Sequence, residues 1–296
     1  MAEDGSLKIR LWVMLSASNA QLAERLPDYK IIGAGDDRLT VRAIKRSIDG
    51  ALGSHGAWLL EPYDDLPETS GLPRDIEGIY ETAALAMEHS FQLGVHAIGD
   101  RGNRVVLDIF EEAFEENPDQ EDVRWRVEHA QHLHPDDIPR FGALGVIASM
   151  QPVHEASDWR MATARLGEAR LAGAYAWKTM LDNRVPLAFG SDVPVESPNP
   201  FPGIAVAMSR EDAKGQPVGG WMPQQRVSFQ AALDGFTRQA AYAGFAEKKF
   251  GSLVPGQRAD FLLIDRDIST AQPADIRTTQ VLETWIGGKR VYVKGQ

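Results

Sequence analysis

The sequence lacks cysteine, has few basic side chains for its acidic content, and contains no long apolar run. With no Cys among 296 residues, disulfide scaffolds, thiolate metal sites and cysteine nucleophiles are excluded. The 42 acidic and 31 basic side chains give a formal net charge of −11, which argues against a nucleic-acid-binding protein. Since no apolar run approaches the roughly 20 residues that cross a bilayer, we expect no membrane span.

The first residues also lack the features of a secretory signal. Residues 1–5 (MAEDG) have neither a basic n-region nor an apolar h-region, so we expect no signal peptide here. Localisation stays open, because a preceding region could hold one. The composition itself, 43% hydrophobic and 25% charged, is typical of a folded protein with one large domain or two modest ones.

Apolar segments typical of covered parallel strands alternate with segments of helical spacing. This alternation predicts an α/β fold, in which six strand–helix units precede residue 243, against eight in a complete (β/α)8 barrel. Strands are predicted at 8–15, 40–48, 95–98, 123–129, 146–151 and 185–189. Helices are predicted at 20–26, at 76–93 (ended by Gly94), around 105–114, and at 135–144, 168–181 and 228–244.

The pattern changes near residue 250. Segments 260–264 and 281–293 predict antiparallel strands, and Ile286-Gly-Gly-Lys289 predicts a hairpin turn. Residues 271–279 are expected to form a polar connector. We therefore predict a partial barrel over 1–249 and a small β part over 250–296.

Four polar residues lie where predicted strands end. They are Lys45, His96, His129 and Asp192. In a parallel α/β barrel the carboxyl ends of the strands meet at one mouth, where catalytic residues collect. Imidazole and carboxylate ligands suit Zn²⁺ and similar ions, so His96, His129 and Asp192 form a candidate divalent-metal set.

Each residue also has a structural interpretation. His96 could be a core histidine bonded to a backbone carbonyl, and His129 could belong to a polar strand exit. Asp192 could cap a turn, and Lys45 could face solvent. A second histidine pair, His132-Leu-His134, is interpreted as surface residues at the start of a helix.

Six strings in order along the chain resemble the amidohydrolase superfamily of metal-dependent hydrolases, in particular its YtcJ-like branch related to N-substituted formamide deformylases. The order Lys, His, His, Asp at the strand ends agrees with this resemblance. The strings are DGALGS (49–54) with EPY (61–63), VHAIGD (95–100), VEHAQ (127–131), QPVH (151–154) with Asp158, FGSDVP (189–194), and GSLVPG (251–256) with 259–260.

The resemblance implies a (β/α)8 TIM-barrel-type hydrolase of amide-like carbon–nitrogen bonds in small molecules. It implies that Lys45, His96, His129 and Asp192 hold one or two divalent ions, with Zn²⁺ expected, and that Lys45 can be carbamylated. Asp192 would also act as the catalytic proton carrier. His154 and Asp158, expected in a loop, would face the substrate; a structural turn network explains that pair about as well.

The sequence departs from the family pattern at one point. Such hydrolases carry a His-x-His pair on the first barrel strand, yet the first histidine here is His55, after Lys45. By resemblance the chain begins near the third barrel strand and covers strands 3–8. A catalytically incompetent or partner-dependent fragment is therefore the alternative function. Its open strand edges predict a homo-oligomer or a complementing N-terminal segment.

Overall fold

A computed structural model describes residues 1–295, which form two compact units. The first unit contains Met1–Ala148, Met161–Ala176 and Asn183–Val185. The second contains Ser149–Arg160, Trp177–Asp182 and the described residues from Pro186 onward. No helix in the described part of the chain is long and apolar enough to cross a membrane.

The first unit is built from parallel strands and helices in alternation. Its sheet has the order β1-β3-β4-β5, and the amide of Ile147 in β6 bonds the carbonyl of Trp125, next to β5, at 2.9 Å. The strands are β1 (Leu11–Leu15), β2 (Ile31–Gly33, antiparallel to β3), β3 (Leu39–Ser47), β4 (Gln92–Ala97), β5 (Arg126–His129) and the first half of β6 (Ile147–Met150). The helices are α1 (Asn19–Tyr29), the short α2 (Ala34–Asp37), α3 (Ile76–Glu88), α4 (Asp100–Glu116) and α5 (Ile138–Leu144), with 3-10 turns at Pro135–Asp137 and Glu168–Gly173.

Local sequence signals explain where these helices begin. Ser18 and Gln21 form a capping box at the start of α1, and the Asp75 side chain accepts the amide of Gly78 at the start of α3. The strands are covered on both faces, as the buried Ile44, Leu93 and similar residues show. The predicted parallel α/β class is therefore confirmed.

The predicted boundary at Gly94 is wrong. Helix α3 ends at Glu88, and the chain reverses at Ser90, which has a left-handed φ of 53°. Gly94 lies inside β4, where a Cβ would approach Met14 Sδ to 3.0 Å and Glu128 Oε1 to 3.2 Å. The glycine there reflects close packing rather than a helix end.

Helix α6 (Pro152–Leu166) replaces the predicted loop around His154 and Asp158, so that prediction is wrong. A proline in the first turn of a helix needs no backbone donor, so Pro152 can begin α6 directly after β6. The residues of α6 up to Arg160 belong to the second unit. The predicted helix over 168–181 is instead the 3-10 turn Glu168–Gly173 followed by α7 (Trp177–Asp182).

The second unit contains the rest of β6, further helices and a small antiparallel sheet. In it the amide of Gly190, just after β7 (Leu187–Phe189), bonds the carbonyl of Met150 at 3.0 Å. The antiparallel sheet has the order β10-β9-β8. The remaining elements are α8 (Pro200–Ser209), a 3-10 turn (Pro223–Gln225), α9 (Phe229–Phe236), α10 (Arg238–Ala243), β8 (Phe261–Ile264), α11 (Pro273–Arg277), β9 (Val281–Ile286) and β10 (Lys289–Val293).

The structure agrees with the predicted hairpin of this unit but not with its predicted long helix. The hairpin is confirmed, because Gly287 and Gly288 join β9 to β10 with φ of 59° and 73°. The single helix over 228–244 is wrong, since Thr237 (φ −125°, ψ −89°) separates α9 from α10. The expected connector at 271–279 contains α11. The domain boundary at residue 249 stays a prediction.

Candidate metal centre

The first unit brings Lys45, His96 and His129 together. Lys45 pairs with Gly94 across β3 and β4, and Ala97 pairs with His129 across β4 and β5. The rings of His96 and His129 meet edge to face, with centroids 4.6 Å apart and an interplanar angle of 72°. Lys45 is close enough to act electrostatically on His96. Two imidazoles and one amine therefore lie at the ends of three neighbouring strands.

The backbone of His129 explains how its ring reaches His96. Side chains alternate along a strand, so Glu128, which pairs with His96, would face the same side and His129 the other. His129 instead has φ 76°, and Ala130 has φ 43°. This left-handed turn ends the alternation and is uncommon outside glycine. Such conformations cluster at functional sites, where the surrounding structure holds them in place.

The electrostatics of His96 suit a metal ligand. Burial lowers its pKa to about 3, and electrostatic interactions with His129 and Lys45 lower it further, partly opposed by a hydrogen bond with the Gly50 backbone. The ring is therefore neutral at pH 7, which is the form that coordinates metals. Within residues 1–295, its buried Nε2 has no hydrogen-bond partner. These donors fit a divalent cation.

Asp49, two residues after β3, is a buried carboxylate beside this group. It is fully buried, and burial raises its pKa to about 6, although amides of Trp58, Gly99 and Ile98 bond it and favour the ionised form. Its Oδ1 lies 3.4 Å from His96 Nε2. The sequence suggested Asp49 only as part of a glycine-rich loop, because its partners are distant along the chain.

The second unit brings His154 and Asp192 together. His154 Nε2 lies 3.8 Å from Asp192 Oδ2, and Asp158 follows one turn later on α6. Asp192 has φ 59°, a second left-handed backbone at a predicted site residue. The convergence of Lys45, His96, His129 and Asp192 on one ion stays a prediction.

A buried ion pair, which the sequence did not predict, lies next to His154 in the second unit. Glu155 and Arg210 are both fully buried, with Oε1 and Nε 3.9 Å apart. The Arg210 guanidinium lies 4.5 Å from the Trp177 ring centre and bonds the Trp221 carbonyl at 2.5 Å. Burial raises the pKa of Glu155 to about 7, against the opposing effect of Arg210. Nothing local in QPVHEASD marks this glutamate as buried.

A comparison over nearly the whole chain identifies its family. A family model described as the amidohydrolase family matches residues 1–292. The chain belongs to the amidohydrolase family. The resemblance to that superfamily and to its YtcJ-like branch is confirmed. The two units are therefore parts of an amidohydrolase fold.

The chain matches two relatives over part of their length. The protein LONG AFTER FAR-RED 3 of Arabidopsis thaliana is 38% identical over 256 residues, which are 86% of this chain and 43% of that protein. The putative amidohydrolase YtcJ of Bacillus subtilis (strain 168) is 33% identical over 253 residues, which are 85% of this chain and 47% of that protein. The chain spans about half the length of the curated relatives it matches.

A solved structure confirms the fold class. An uncharacterised metal-dependent hydrolase from Pyrococcus horikoshii OT3 matches with a TM-score of 0.80 at 28% identity, over 92% of this chain and 53% of that chain. The parallel strands of this amidohydrolase thus correspond to part of a TIM-type barrel, followed by the small antiparallel sheet.

Proposed function

We propose that the chain provides the active-site residues of a metal-dependent hydrolase that cleaves amide-like, non-peptide carbon–nitrogen bonds in small molecules. The observation that carries this proposal is the contact between the neutral His96 ring and His129, at the ends of neighbouring strands and near Lys45. Membership of the amidohydrolase family supports the reaction class.

Four residues hold the metal in this proposal. His96 and His129 are neutral-imidazole ligands, Asp192 is a carboxylate ligand, and Lys45 is a ligand once carbamylated. A bare ammonium repels a dication, whereas a carbamate is anionic and offers two oxygens. Zn²⁺ is the expected ion, because it accepts nitrogen and oxygen ligands. When bound, such an ion lowers the pKa of water to about 7 and polarises a carbonyl.

The remaining chemistry belongs to side chains of the second unit. The Asp192 carboxylate accepts a proton from the attacking water and returns it to the nitrogen of the leaving amine. His154, whose Nε2 lies 3.8 Å from Asp192, contacts the substrate, together with Asp158. A proton carrier must lie within hydrogen-bond reach of the group it serves, and this pair can tighten when substrate binds.

Metal binding by the purified chain tests the ligand assignment. We expect His96→Ala or His129→Ala to abolish tight Zn²⁺ binding, because each removes a neutral nitrogen donor from the cluster. The matched control is His89→Ala, which removes a histidine at the end of α3 instead. Zinc content would be measured by mass spectrometry after dialysis. Unchanged zinc in either site variant contradicts the assignment.

The alternative function is a partner-dependent fragment without activity of its own. It is motivated by the coverage of about half of the relatives' length. In that case the chain binds at most about one Zn²⁺ and hydrolyses a panel of N-acyl amines only when a second polypeptide supplies the His-x-His donors. Two bound ions and robust turnover by the chain alone would refute this alternative.

A further inference from the structure

Asn103 joins the start of helix α4 to the ends of two neighbouring strands. Its side chain is fully buried. Nδ2 donates to the carbonyl of Gly99 at 2.9 Å, and to the carbonyls of Ala97 and His132 at 3.3 Å each. The bond to Gly99 spans one turn of the chain at the helix start. The other two bonds connect the end of β4 to the segment that follows β5.

Three carbonyl oxygens around one point require a hydrogen-bond donor. The NH₂ group of Asn103 shares its two hydrogens among them, whereas a side-chain oxygen in the same place would be repelled. The amide oxygen Oδ1 is buried and has no hydrogen-bond partner among the described residues. A buried acceptor without a partner is unfavourable. What this asparagine contributes to the fold is therefore its donor group.

The strand ends that Asn103 connects carry the two imidazoles of the metal cluster. His96 directly precedes Ala97, and Ala97 pairs with His129 across β4 and β5. The two imidazole rings are in contact, with centroids 4.6 Å apart. The pair of Ala97 and His129 is the last in the register of these two strands. Beyond it, the spacing of the strand ends depends on the bonds that follow.

The backbone after His129 needs such bonds. His129 and Ala130 have left-handed backbones, with φ of 76° and 43°. Backbones of this kind persist only where the surrounding structure holds them. Two residues later, the amide of His132 donates to the carbonyl of Ile98 at 3.0 Å, and its carbonyl accepts from Asn103. Asn103 therefore helps to hold the far end of the turn that presents the His129 ring.

We propose that Asn103 is a positioning residue: its bridge between the two strand ends sets the distance between the His96 and His129 rings, which bind the metal. This inference rests on the proposed metal-dependent function. A purely structural residue would affect unfolding alone and would leave the metal affinity of the folded protein unchanged. A positioning residue also sets that affinity, so metal binding separates the two roles.

The first experiment compares metal binding by Asn103→Ser and wild type. A serine within a helix can bond the carbonyl four residues earlier, so the variant can keep a bond to Gly99. Its side chain is shorter and loses the bonds to the two strand ends. We expect the dissociation constants for Zn²⁺ and Co²⁺ to rise about 10-fold or more, as for other residues that orient metal ligands, with a changed Co²⁺ absorption spectrum.

The matched control is Asn117→Ser. Asn117 Nδ2 also bonds the carbonyl four residues earlier, that of Ala113 at 2.8 Å, at the other end of α4. The same change there affects one helix and no bond between strands, so metal binding should stay like that of wild type. The inference is overturned if folded Asn103→Ser keeps the affinity and spectrum of wild type, or if both variants bind equally weakly; the proposed function then stands. A wild type that binds neither Zn²⁺ nor Co²⁺ overturns both.

The second experiment needs no variant and decides the matter if Asn103→Ser fails to fold. Metal binding and the bridge must affect each other by the same factor, so saturating Zn²⁺ should slow the opening of the bridge about 10-fold. NMR of the wild type, with and without Zn²⁺, measures hydrogen exchange of the Asn103 side-chain amide. The buried indole N–H of Trp125, which donates to the Phe91 carbonyl, reports general stabilisation. We expect greater slowing at Asn103; equal slowing at both groups overturns the inference.

Discussion

His132, shortly after β5, is a buried histidine that packs against an aromatic ring. It is 2% exposed, and its ring meets Tyr175 edge to face at 5.4 Å. The amide of Leu133 bonds the carbonyl of Gly173, so this segment packs against a distant part of the chain. The prediction that His132 lies on the surface is therefore wrong. Spacing along the sequence could not reveal its burial, because residues 173–175, which pack on this segment, are about forty positions away.

The burial of His132 predicts a pH-dependent stability. Burial lowers its pKa to about 3, whereas an unfolded histidine titrates near 6.5. The unfolded state therefore binds the proton first, and stability falls as the pH decreases from about 6.5 towards 3. From pH 7 to 5, wild type should lose roughly 2 kcal/mol more than His132→Gln. Urea unfolding at both pH values measures the difference.

The control for this prediction is His134→Gln. It removes a neighbouring histidine whose side chain is 40% exposed instead of a buried one. If His132→Gln and wild type lose the same stability between pH 7 and 5, the burial of a neutral His132 is contradicted.

The sequence predicted the types of site residue but not their geometry. Lys45, His96 and His129 follow from strand ends, because parallel strands bring those ends together. The burial of Asp49 and of Glu155 depends on partners far along the chain, such as Gly99 and Arg210. The left-handed backbone at His129 has no sequence signal, since histidine does not require it.

At the scale of elements, the junction of β4 and α4 is constrained by one glycine. A Cβ on Gly99 would lie 2.1 Å from the carbonyl oxygen of Trp58, far inside a normal contact. The backbone of Gly99, with φ −75° and ψ 153°, is accessible to any residue. The need for glycine there is therefore steric, and it arises from the loop after β3 passing close over the helix start.

We accordingly expect Gly99→Ala to lower the free energy of unfolding by about 1–3 kcal/mol, the usual cost of forcing extra volume into a packed site. The comparison variant is Gly190→Ala, where a Cβ meets nothing within 4 Å. Urea denaturation would measure both. Equal stability of the two variants would show that the Trp58 carbonyl moves away without cost.

Element types were easier to predict than element boundaries. The helical spacing around residues 76–91 and the strand at 40–48 identified α3 and β3 correctly. The break at Thr237 and the helical start at Pro152 were missed, because packing in the fold decides both. Proline suits a loop and a first helical turn equally well.

At the scale of the whole chain, the open edge of the first sheet predicts self-association. Strand β1 is the last strand in the order and pairs with β3 within the described residues. Its sequence, LWVML, carries no charge, and Leu11 is 36% exposed. Uncharged edges pair readily with other chains, so a homo-oligomer or a complementing polypeptide remains our proposal for the partner.

Leu11→Lys should therefore increase the monomer fraction, because a charge on an edge strand disfavours pairing. Leu72→Lys is the matched control, since Leu72 is 72% exposed and lies in the loop before α3. Light scattering over a concentration series would compare the variants with wild type. A stable monomer of the wild type at all concentrations would contradict the prediction.

The backbone at His129 and Asp192 also bears on how natural and laboratory variation should be interpreted. Both positions have a positive φ, a backbone conformation that glycine adopts at a lower energetic cost than any other residue. A population selected for folding alone should drift towards glycine at both sites. One selected for chemistry should keep imidazole and carboxylate despite the strain. The residues found at these two positions in descendants of the chain would then test whether the proposed metal chemistry is under selection.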